Sequence, residues 1–293
     1  MKRLGLLLLL LLCLGGAVTA QRRPATRIKY GSNPAASNTF VHDGVRLYYE
    51  VYGTGEPLLL VHGNGGSIAD LSAQIAYFRT RYKVIAMDSR DQGRSADSNS
   101  KITYEKMTDD LAALVDHLKV GPVNVLGWSD GGIEALLLGI RHPQKVKKIA
   151  AMAANLTPGE EALEPEIIGL IKSIVSDAPS TQGETPERRR EIKVTSMMLG
   201  EPNIDFTELQ TIKAPTLVLA ADHDAIRVKH TVEIYLHIPN SQLVIFPGAT
   251  HMIPFDDPAL FNATVERFLR TPFRKVEMLN DTVKSLEKMR TAQ

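Results

Sequence analysis

A serine stands where the sequence favours a nucleophile. Ser129 lies in the string GWSDGG at 127–132, between an apolar run and a helical pattern. A serine flanked by glycines at a strand–turn–helix junction is typical of a nucleophile held on a sharp turn. The glycines suit such a turn because side chains beside the nucleophile would collide with it. Serine is a weak nucleophile at neutral pH, so a base and an acid that orients the base are also required.

The candidate base is His251, one of eight histidines. It lies in a loop after the last apolar run, and such loops at strand carboxyl ends carry the site in open α/β sheets. The acid is expected between serine and histidine in chain order. Asp222 and Asp224 both fit, in the triplet Asp-His-Asp after the run at 215–220. A metal at this triplet is the weaker alternative, because adjacent loop residues rarely converge on one ion; we predict none.

The same chemistry needs backbone N–H groups that stabilise a developing oxyanion. Asp130 directly follows the serine at a helix start, where the helix dipole also helps. Asn64 lies in the loop His-Gly-Asn-Gly-Gly at 62–66, whose glycines permit close backbone approach. The N–H groups of Asn64 and Asp130 are therefore the predicted donors, and His62 is predicted to be structural.

Strands alternating with helices are expected to position these residues. Continuous apolar runs are typical of strands covered on both faces, and the Asp43-Gly44 pair indicates a hairpin turn. The alternation predicts the α/β class, with a mostly parallel sheet flanked by helices. The predicted strands are 40–47, 48–52, 57–62, 82–87, 123–126, 146–152, 215–220 and 242–246; the predicted helices are 103–119, 131–141, 258–269 and 275–290.

The pattern divides the chain into five parts. The alternation breaks in a charged segment with helical patches, which predicts a helical cap inserted into the core. The stretch before the first strand lacks an apolar period and indicates a linker. The predicted parts are a signal peptide at 1–20, a linker at 21–39, the core at 40–156 and 213–272, the cap at 157–212 and a C-terminal helix or tail at 273–293.

The first twenty residues have the composition of an export signal. Lys2 and Arg3 precede a leucine-rich run that is short for a membrane span, and small residues lead to a cleavage site after Ala20. We expect a cleaved signal, hence a periplasmic or secreted protein without stable membrane insertion. An uncleaved anchor is an alternative. Lipidation of Cys13, the only cysteine, is weaker because Leu12 precedes it.

Composition bounds the possible partners. Among 293 residues, 34 basic and 33 acidic side chains give a formal net charge of +1. That balance gives no electrostatic reason to expect nucleic acid as a partner. A small-molecule substrate is expected instead, and the oligomeric state is left open.

From about residue 40 to 272 the chain resembles the α/β-hydrolase superfamily. The resemblance rests on the 62–66 loop, the segment DSRDQGRS at 88–95, the GWSDGG turn and the loops of Asp224 and His251. It implies an eight-stranded, mostly parallel sheet with a small helical cap. It also implies a Ser129–Asp224–His251 triad, which selects Asp224 over Asp222 as the acid, and no cofactor. Departures occur at Asp91, Ala221 and Thr250, where the superfamily often has glycine.

The GWSDGG string is most similar to that of valacyclovir-hydrolase-like enzymes, which cleave amino-acid esters. That resemblance implies that the Asp130 carboxylate holds a substrate ammonium group. The alternative is a stabilising acid in the first turn of a helix. Trp128, Met252 and Phe255 are further candidates for substrate contacts, from their positions beside the serine and histidine.

The expected reaction is hydrolysis of a carboxylic ester or a related acyl substrate through an acyl-enzyme. A lactonase, C–C bond hydrolase, amidase or cofactor-free haloperoxidase on the same fold remains open. A non-catalytic binding protein is less favoured, because all three candidate triad residues are present.

Overall fold

The computed structural model describes residues 28–96, 98, 100–176 and 185–291, and the predicted signal peptide lies outside them. The described residues include one sheet of eight strands. In chain order these are β1 (Ser37–His42), β2 (Val45–Tyr52), β3 (Glu56–Val61), β4 (Tyr82–Met87), β5 (Val123–Trp128), β6 (Val146–Met152), β7 (Thr216–His223) and β8 (Ser241–Thr250).

The strands follow the order β1-β2-β4-β3-β5-β6-β7-β8 across the sheet. β2 is antiparallel to β1 and to β4, and every other neighbouring pair is parallel. The parallel strands therefore end at one edge, where the loops after β3, β5, β7 and β8 meet. The predicted α/β class with a mostly parallel eight-stranded sheet is confirmed.

Helices cover both faces of the sheet, as the unbroken apolar character of its central strands requires. Leu58, Leu59, Leu60 and Val61 of β3 are all fully buried, and alternate residues enter two separate apolar clusters. The helices are α1 (Ser72–Phe78), α2 (Tyr104–Leu118), α3 (Asp130–Arg141), α4 (Pro165–Ser176), α5 (Pro186–Met197), α6 (Phe206–Leu209), α7 (Val228–His237), α8 (Ile253–Asp256), α9 (Pro258–Arg270) and α10 (Met278–Thr291).

The predicted linker is too long at its C-terminal end. β1 begins at Ser37, and the described residues before it are already attached to the sheet. The buried carboxylate of Glu50 accepts hydrogen bonds from the backbone N–H groups of Gly31 and Asn33, and Tyr30 packs edge-on against Tyr52. The buried Glu50 carboxylate and a few packing contacts hold this arm, so no apolar period marks it in the sequence.

The strand bounds predicted for the first hairpin, 40–47 and 48–52, are also wrong. The turn lies at Asp43-Gly44 as predicted, with φ of 46° and 72°, so β1 ends at His42 and β2 begins at Val45. The runs predicted at 82–87 and 146–152 agree residue for residue with β4 and β6. α1 and α7 were not predicted.

Between β6 and β7 the described residues form α4, α5 and α6 and add no strand to the sheet. This is the segment predicted as a cap. At the C-terminus α10 occupies most of the predicted tail helix. In the part of the chain that the structure describes, no helix has the length and apolarity needed to span a membrane.

Candidate active site

Ser129 occupies a strained turn between β5 and α3. Its φ and ψ are 58° and −121°, a left-handed conformation that non-glycine residues rarely adopt. The residues two positions before and after it are glycines because the backbone is crowded there. A Cβ at Gly127 would lie 1.8 Å from the Gly131 oxygen, and one at Gly131 would lie 2.3 Å from the Val61 oxygen. The turn therefore projects the serine hydroxyl beyond the carboxyl edge of the sheet.

The structure brings Ser129, His251 and Asp224 together. His251 Nε2 lies 3.0 Å from the Ser129 hydroxyl oxygen, and His251 Nδ1 lies 2.6 Å from Asp224 Oδ1. When Nδ1 carries a proton and donates a hydrogen bond to Asp224, Nε2 is free to accept the serine proton. The three residues thus form a continuous hydrogen-bonded relay, although they are far apart in sequence.

Asp224 supplies the carboxylate in this relay. Its side chain is fully buried, and it also accepts hydrogen bonds from the backbone N–H groups of Ala221 and Ile226, at 3.0 and 3.3 Å. These donors fix the carboxylate beneath the imidazole.

Asp222 has a different set of partners. Its carboxylate accepts hydrogen bonds from the backbone N–H groups of Gly248 and Ala249, at 2.8 and 3.1 Å. The Gly248 bond is the main cause of a lowered Asp222 pKa. Asp222 therefore joins the end of β7 to the segment that leads to His251, which is a structural role.

The two predicted oxyanion donors lie on neighbouring elements. Asp130 is the first residue of α3, so its N–H has no acceptor within the helix. The Asn64 N–H donates to no acceptor among the described residues. The loop containing Asn64 packs tightly on the serine turn, since a Cβ at Gly63 would lie 3.1 Å from the Ser129 Cβ. Among the described residues, both N–H groups therefore have no acceptor, and the elements that carry them meet at the serine.

The Asp130 side chain is buried, and both of its carboxylate oxygens accept hydrogen bonds. The residue is 2% exposed; Oδ1 accepts a hydrogen bond from the Tyr104 hydroxyl, and Oδ2 accepts one from Asn64 Nδ2, each at 2.8 Å. Burial raises the pKa of Asp130, and the two donors partly offset this rise. Burial and the nearby Asp130 charge together hold the pKa of Glu134, one turn further along α3, well above its usual value.

Two of the other candidate contact residues, Trp128 and Phe255, pack together beside His251. The Trp128 indole N–H donates to the His251 carbonyl oxygen at 2.9 Å, and its ring packs edge-on against Phe255 at 4.7 Å. Met252 is 42% exposed. Trp128 therefore supports the His251 loop, a contact that the sequence did not reveal.

The cap segment reaches the site through α5. Asn64 Nδ2 also donates to the Val194 carbonyl oxygen at 3.3 Å, and Lys193 forms an ion pair with the buried Asp91 at 3.0 Å. A cavity of about 200 Å³ opens between α5 and the loops after β3 and β4. It is lined by Gly65, Asp91, Gln92, Gly93, Glu187, Arg190, Glu191 and Val194.

Metal-binding side chains do not converge here. Within the described ranges, no group of three or more His, Cys, Asp or Glu side chains could hold a metal ion. His223 in the Asp-His-Asp triplet has a 76% exposed side chain, while the aspartates on either side bind separate partners.

Comparison with known proteins agrees with this architecture. The family model for the alpha/beta hydrolase fold matches residues 56–172. The serine hydrolase BPHL of Mus musculus is 27% identical over 247 residues, which cover 78% of this chain and 84% of the relative. The 3-oxoadipate enol-lactonase 2 of Acinetobacter baylyi is 25% identical over 259 residues, covering 80% and 96%.

Among solved structures, the alpha/beta hydrolase MGS-M2 from a Medee basin deep-sea metagenome library superposes with a TM-score of 0.72 at 19% identity. The match covers 82% of this chain and all of that one. Together with the strand order and the family model, this likeness identifies the fold. The chain has the α/β-hydrolase fold.

Sequence reasoning missed two residues of the site. Tyr104 is fully buried and donates to Asp130, and the Val194 carbonyl accepts from Asn64. Tyr104 lies in the first turn of α2 with no motif around it, and any residue in the place of Val194 would supply a carbonyl. Neither contact has a signal in residue type or spacing.

Proposed function

We propose that this chain hydrolyses carboxylic esters of small molecules through an acyl-enzyme formed on Ser129. The proposal rests chiefly on the relay in which the Ser129 oxygen lies 3.0 Å from His251 Nε2 and His251 Nδ1 lies 2.6 Å from Asp224. The relay combines a nucleophile, a base and an orienting acid in one geometry.

In the first half-reaction the Ser129 oxygen attacks the ester carbonyl carbon, and its proton passes to His251 Nε2. The carbonyl electron pair moves onto oxygen, where the N–H groups of Asn64 and Asp130 stabilise the charge. The C–O bond to the leaving group then breaks, and Nε2 returns the proton to the departing alkoxide. Asp224 stabilises the imidazolium between these transfers.

Water completes the cycle by the same route. His251 Nε2 removes a proton from the water as its oxygen attacks the acyl carbon. When the tetrahedral adduct collapses, the Ser129 oxygen takes that proton back and the carboxylic acid leaves. Every proton is transferred by side chains of this chain, so the cycle requires no cofactor.

Lactones are the second candidate substrates. A lactone is a cyclic ester and reacts through the same steps. The relative from Acinetobacter baylyi, which this chain matches over 96% of its length, is an enol-lactonase. Trp128, Met252 and Phe255 are the proposed contacts for the acyl or alcohol part. Trp128 packs beside the His251 ring and against Phe255, and Met252 is exposed directly after His251.

A panel of p-nitrophenyl acyl esters, aminoacyl esters and lactones tests the proposal. Wild type should hydrolyse at least one class, and Ser129→Ala should lower kcat by about 10⁴-fold or more. Equal rates for wild type and Ser129→Ala would refute the role of Ser129. The relative kcat/KM values would identify the substrate class.

Export is a separate proposal, based on Lys2, Arg3 and the leucine-rich run that follows them. The protein recovered from a bacterial periplasm or culture medium should begin at Gln21 when its N-terminus is sequenced. An N-terminus at Met1 would instead favour a retained anchor.

A further inference from the structure

The loop that carries Asn64 has little conformational restraint of its own. It contains Gly63, Gly65 and Gly66, and Gly65 has a φ of 65°. Among the described residues, the Gly66 N–H donates to the Gly63 oxygen within the loop, and His62 Nδ1 lies 2.8 Å from the same oxygen; neither contact involves Asn64. Glycine-rich backbone gains entropy when it is released, so a fixed Asn64 N–H needs restraint from outside the loop.

The Asn64 side chain supplies that restraint. Its amide nitrogen has two hydrogens; one bond goes to Asp130 Oδ2 at 2.8 Å and the other to the Val194 oxygen at 3.3 Å. The Val194 carbonyl is available because α5 tightens at its end. The Met198 N–H, which would pair with it in a regular helix, bonds to Thr195 and Ser196 instead.

The bond to Asp130 joins the two residues whose N–H groups flank the serine. Asp130 is itself fixed, because Tyr104 donates to its other carboxylate oxygen and α3 begins at this residue. The carboxylate is thus a rigid acceptor at the serine turn. A 2% exposed side chain with both oxygens already bonded offers little surface to a substrate.

We infer that Asp130 is a positioning residue. Its carboxylate holds the Asn64 side chain, so that the Asn64 N–H points at the oxyanion, and it does not bind a substrate ammonium group. This inference rests on the proposed ester hydrolysis and deepens it. The site therefore accepts uncharged acyl groups as readily as aminoacyl groups.

Two substitutions of Asp130 separate the alternatives. In Asp130→Asn the amide oxygen can still accept from Asn64 Nδ2, and the new NH₂ can donate to the Tyr104 hydroxyl oxygen. Asp130→Ala removes the acceptor. A positioning role predicts that the Asn variant retains most of the activity lost in the Ala variant. An ammonium-binding role predicts that both variants lose any preference for aminoacyl esters.

The informative measurement compares an ester with its thionoester, whose C=S group is a poorer acceptor for the oxyanion donors. Asn64→Ala keeps the main-chain N–H but loses the side-chain contacts, and it serves as a second variant if Asp130→Ala fails to fold. In Asn64→Ala and Asp130→Ala we expect kcat for the ester to fall about 10- to 100-fold. KM for the ester should stay within about threefold of the wild-type value. The kcat for the thionoester should fall less than the kcat for the ester, so the ester/thionoester kcat ratio should fall about tenfold.

Asn240→Ala is the matched control. Asn240 donates its side-chain amide to the Lys213 carbonyl oxygen at the opposite edge of the sheet, so its loss should leave the ratio unchanged. Wild type should hydrolyse a valyl ester and its desamino counterpart at similar rates, after correction for their uncatalysed rates.

Two results would overturn the inference while leaving the proposed function intact. One is an unchanged ester/thionoester ratio in Asn64→Ala, in a protein whose Ser129 still reacts with a fluorophosphonate. The other is a strong wild-type preference for the aminoacyl ester that Asp130→Asn abolishes. A wild type with an unreactive Ser129 would remove the proposed function and this inference together.

Discussion

Trp128, the residue before the candidate nucleophile, donates its indole N–H to the carbonyl oxygen of His251 at 2.9 Å. Two hydrogen bonds therefore join the serine turn to the histidine loop. One links the side chains of Ser129 and His251, and the other links the Trp128 indole to the His251 backbone. Phe255 packs on the same indole ring with centroids 4.7 Å apart, and it follows His251 by four residues. This arrangement limits the rotation of the loop that carries the imidazole.

Trp128→Phe should separate support from substrate contact. The ring and its packing on Phe255 are largely kept, but the hydrogen bond to His251 is lost. A neutral hydrogen bond contributes about 0.5–1.5 kcal/mol, so kcat should fall about 2- to 13-fold. Steady-state kinetics on a p-nitrophenyl ester provides the measurement. A change in KM alone would contradict the supporting role and indicate a pocket residue.

The two aspartates after β7 should respond differently to the same substitution. Asp224→Asn replaces the acceptor of His251 Nδ1 with a group that favours the wrong tautomer, and we expect kcat to fall about 10⁴-fold. Asp222→Asn weakens only the bonds to Gly248 and Ala249, so it should lower Tm while kcat falls less than about tenfold. Comparable kcat losses in both variants would contradict the assignment of Asp224 as the acid.

Gly63→Ala should impair activity through crowding. The new Cβ would lie 2.9 Å from the Trp128 ring and 3.1 Å from the Ser129 Cβ, so these groups must shift. Overpacking of this kind costs about 1–3 kcal/mol of stability, and we expect kcat to fall by about 10-fold or more. Activity and thermal unfolding should be measured together.

Gly169→Ala in α4 is the control for that experiment, because a Cβ there meets no atom within 4 Å. It should leave kcat unchanged and stabilise its helix by about 0.5–1 kcal/mol. Wild-type kinetics in Gly63→Ala would show that the loop has more room than its contacts indicate.

Much of the fold follows from the sequence because its parallel strands are largely apolar. The bounds predicted for β4 and β6 are confirmed, because a short, largely apolar run with β-branched residues, such as Tyr82–Met87, favours a strand over a helix at that length. α1 and α7 were missed for physical reasons. α1 spans only seven residues, and α7 contains β-branched Val228, Thr231 and Val232, which have low helix propensity.

The site was predictable where residue type determines the chemistry. Ser129 and His251 follow from motif and loop position, whereas the choice of Asp224 over Asp222 needed resemblance to a family. The contacts of Asn64 with Asp130 and Val194 could not be predicted, because they join residues 66 and 130 positions apart. Such pairs depend on how three elements pack, and local patterns carry no information about that packing.

His230 should make stability depend on pH. It is 4% exposed, its Nε2 accepts a hydrogen bond from the Leu156 N–H, and burial lowers its pKa from 6.5 to about 4, against the opposing charges of Glu161 and Glu233. The unfolded chain therefore binds a proton at higher pH than the folded chain does. The resulting stability is fully present above pH 6.5 and is lost as the pH falls towards 4.

The size of this effect follows from the shift, since each pKa unit corresponds to about 1.4 kcal/mol. The free energy of unfolding should fall by up to about 3 kcal/mol between pH 6.5 and 4, as measured by urea denaturation. His230→Gln places an amide oxygen near the position of Nε2 and cannot titrate, so it should flatten this part of the profile. An identical profile in the variant would exclude His230 as the cause.

The reactivity of Ser129 is the central claim, and covalent labelling tests it most directly. The protein should be treated with a fluorophosphonate, digested, and the modified residue located by peptide mass spectrometry. We predict a single adduct on Ser129, no adduct in Ser129→Ala, and labelling slowed by at least about 10³-fold in His251→Ala, which lacks the base. Undiminished labelling of Ser129→Ala, or a wild type that stays unmodified at this serine, would contradict the account.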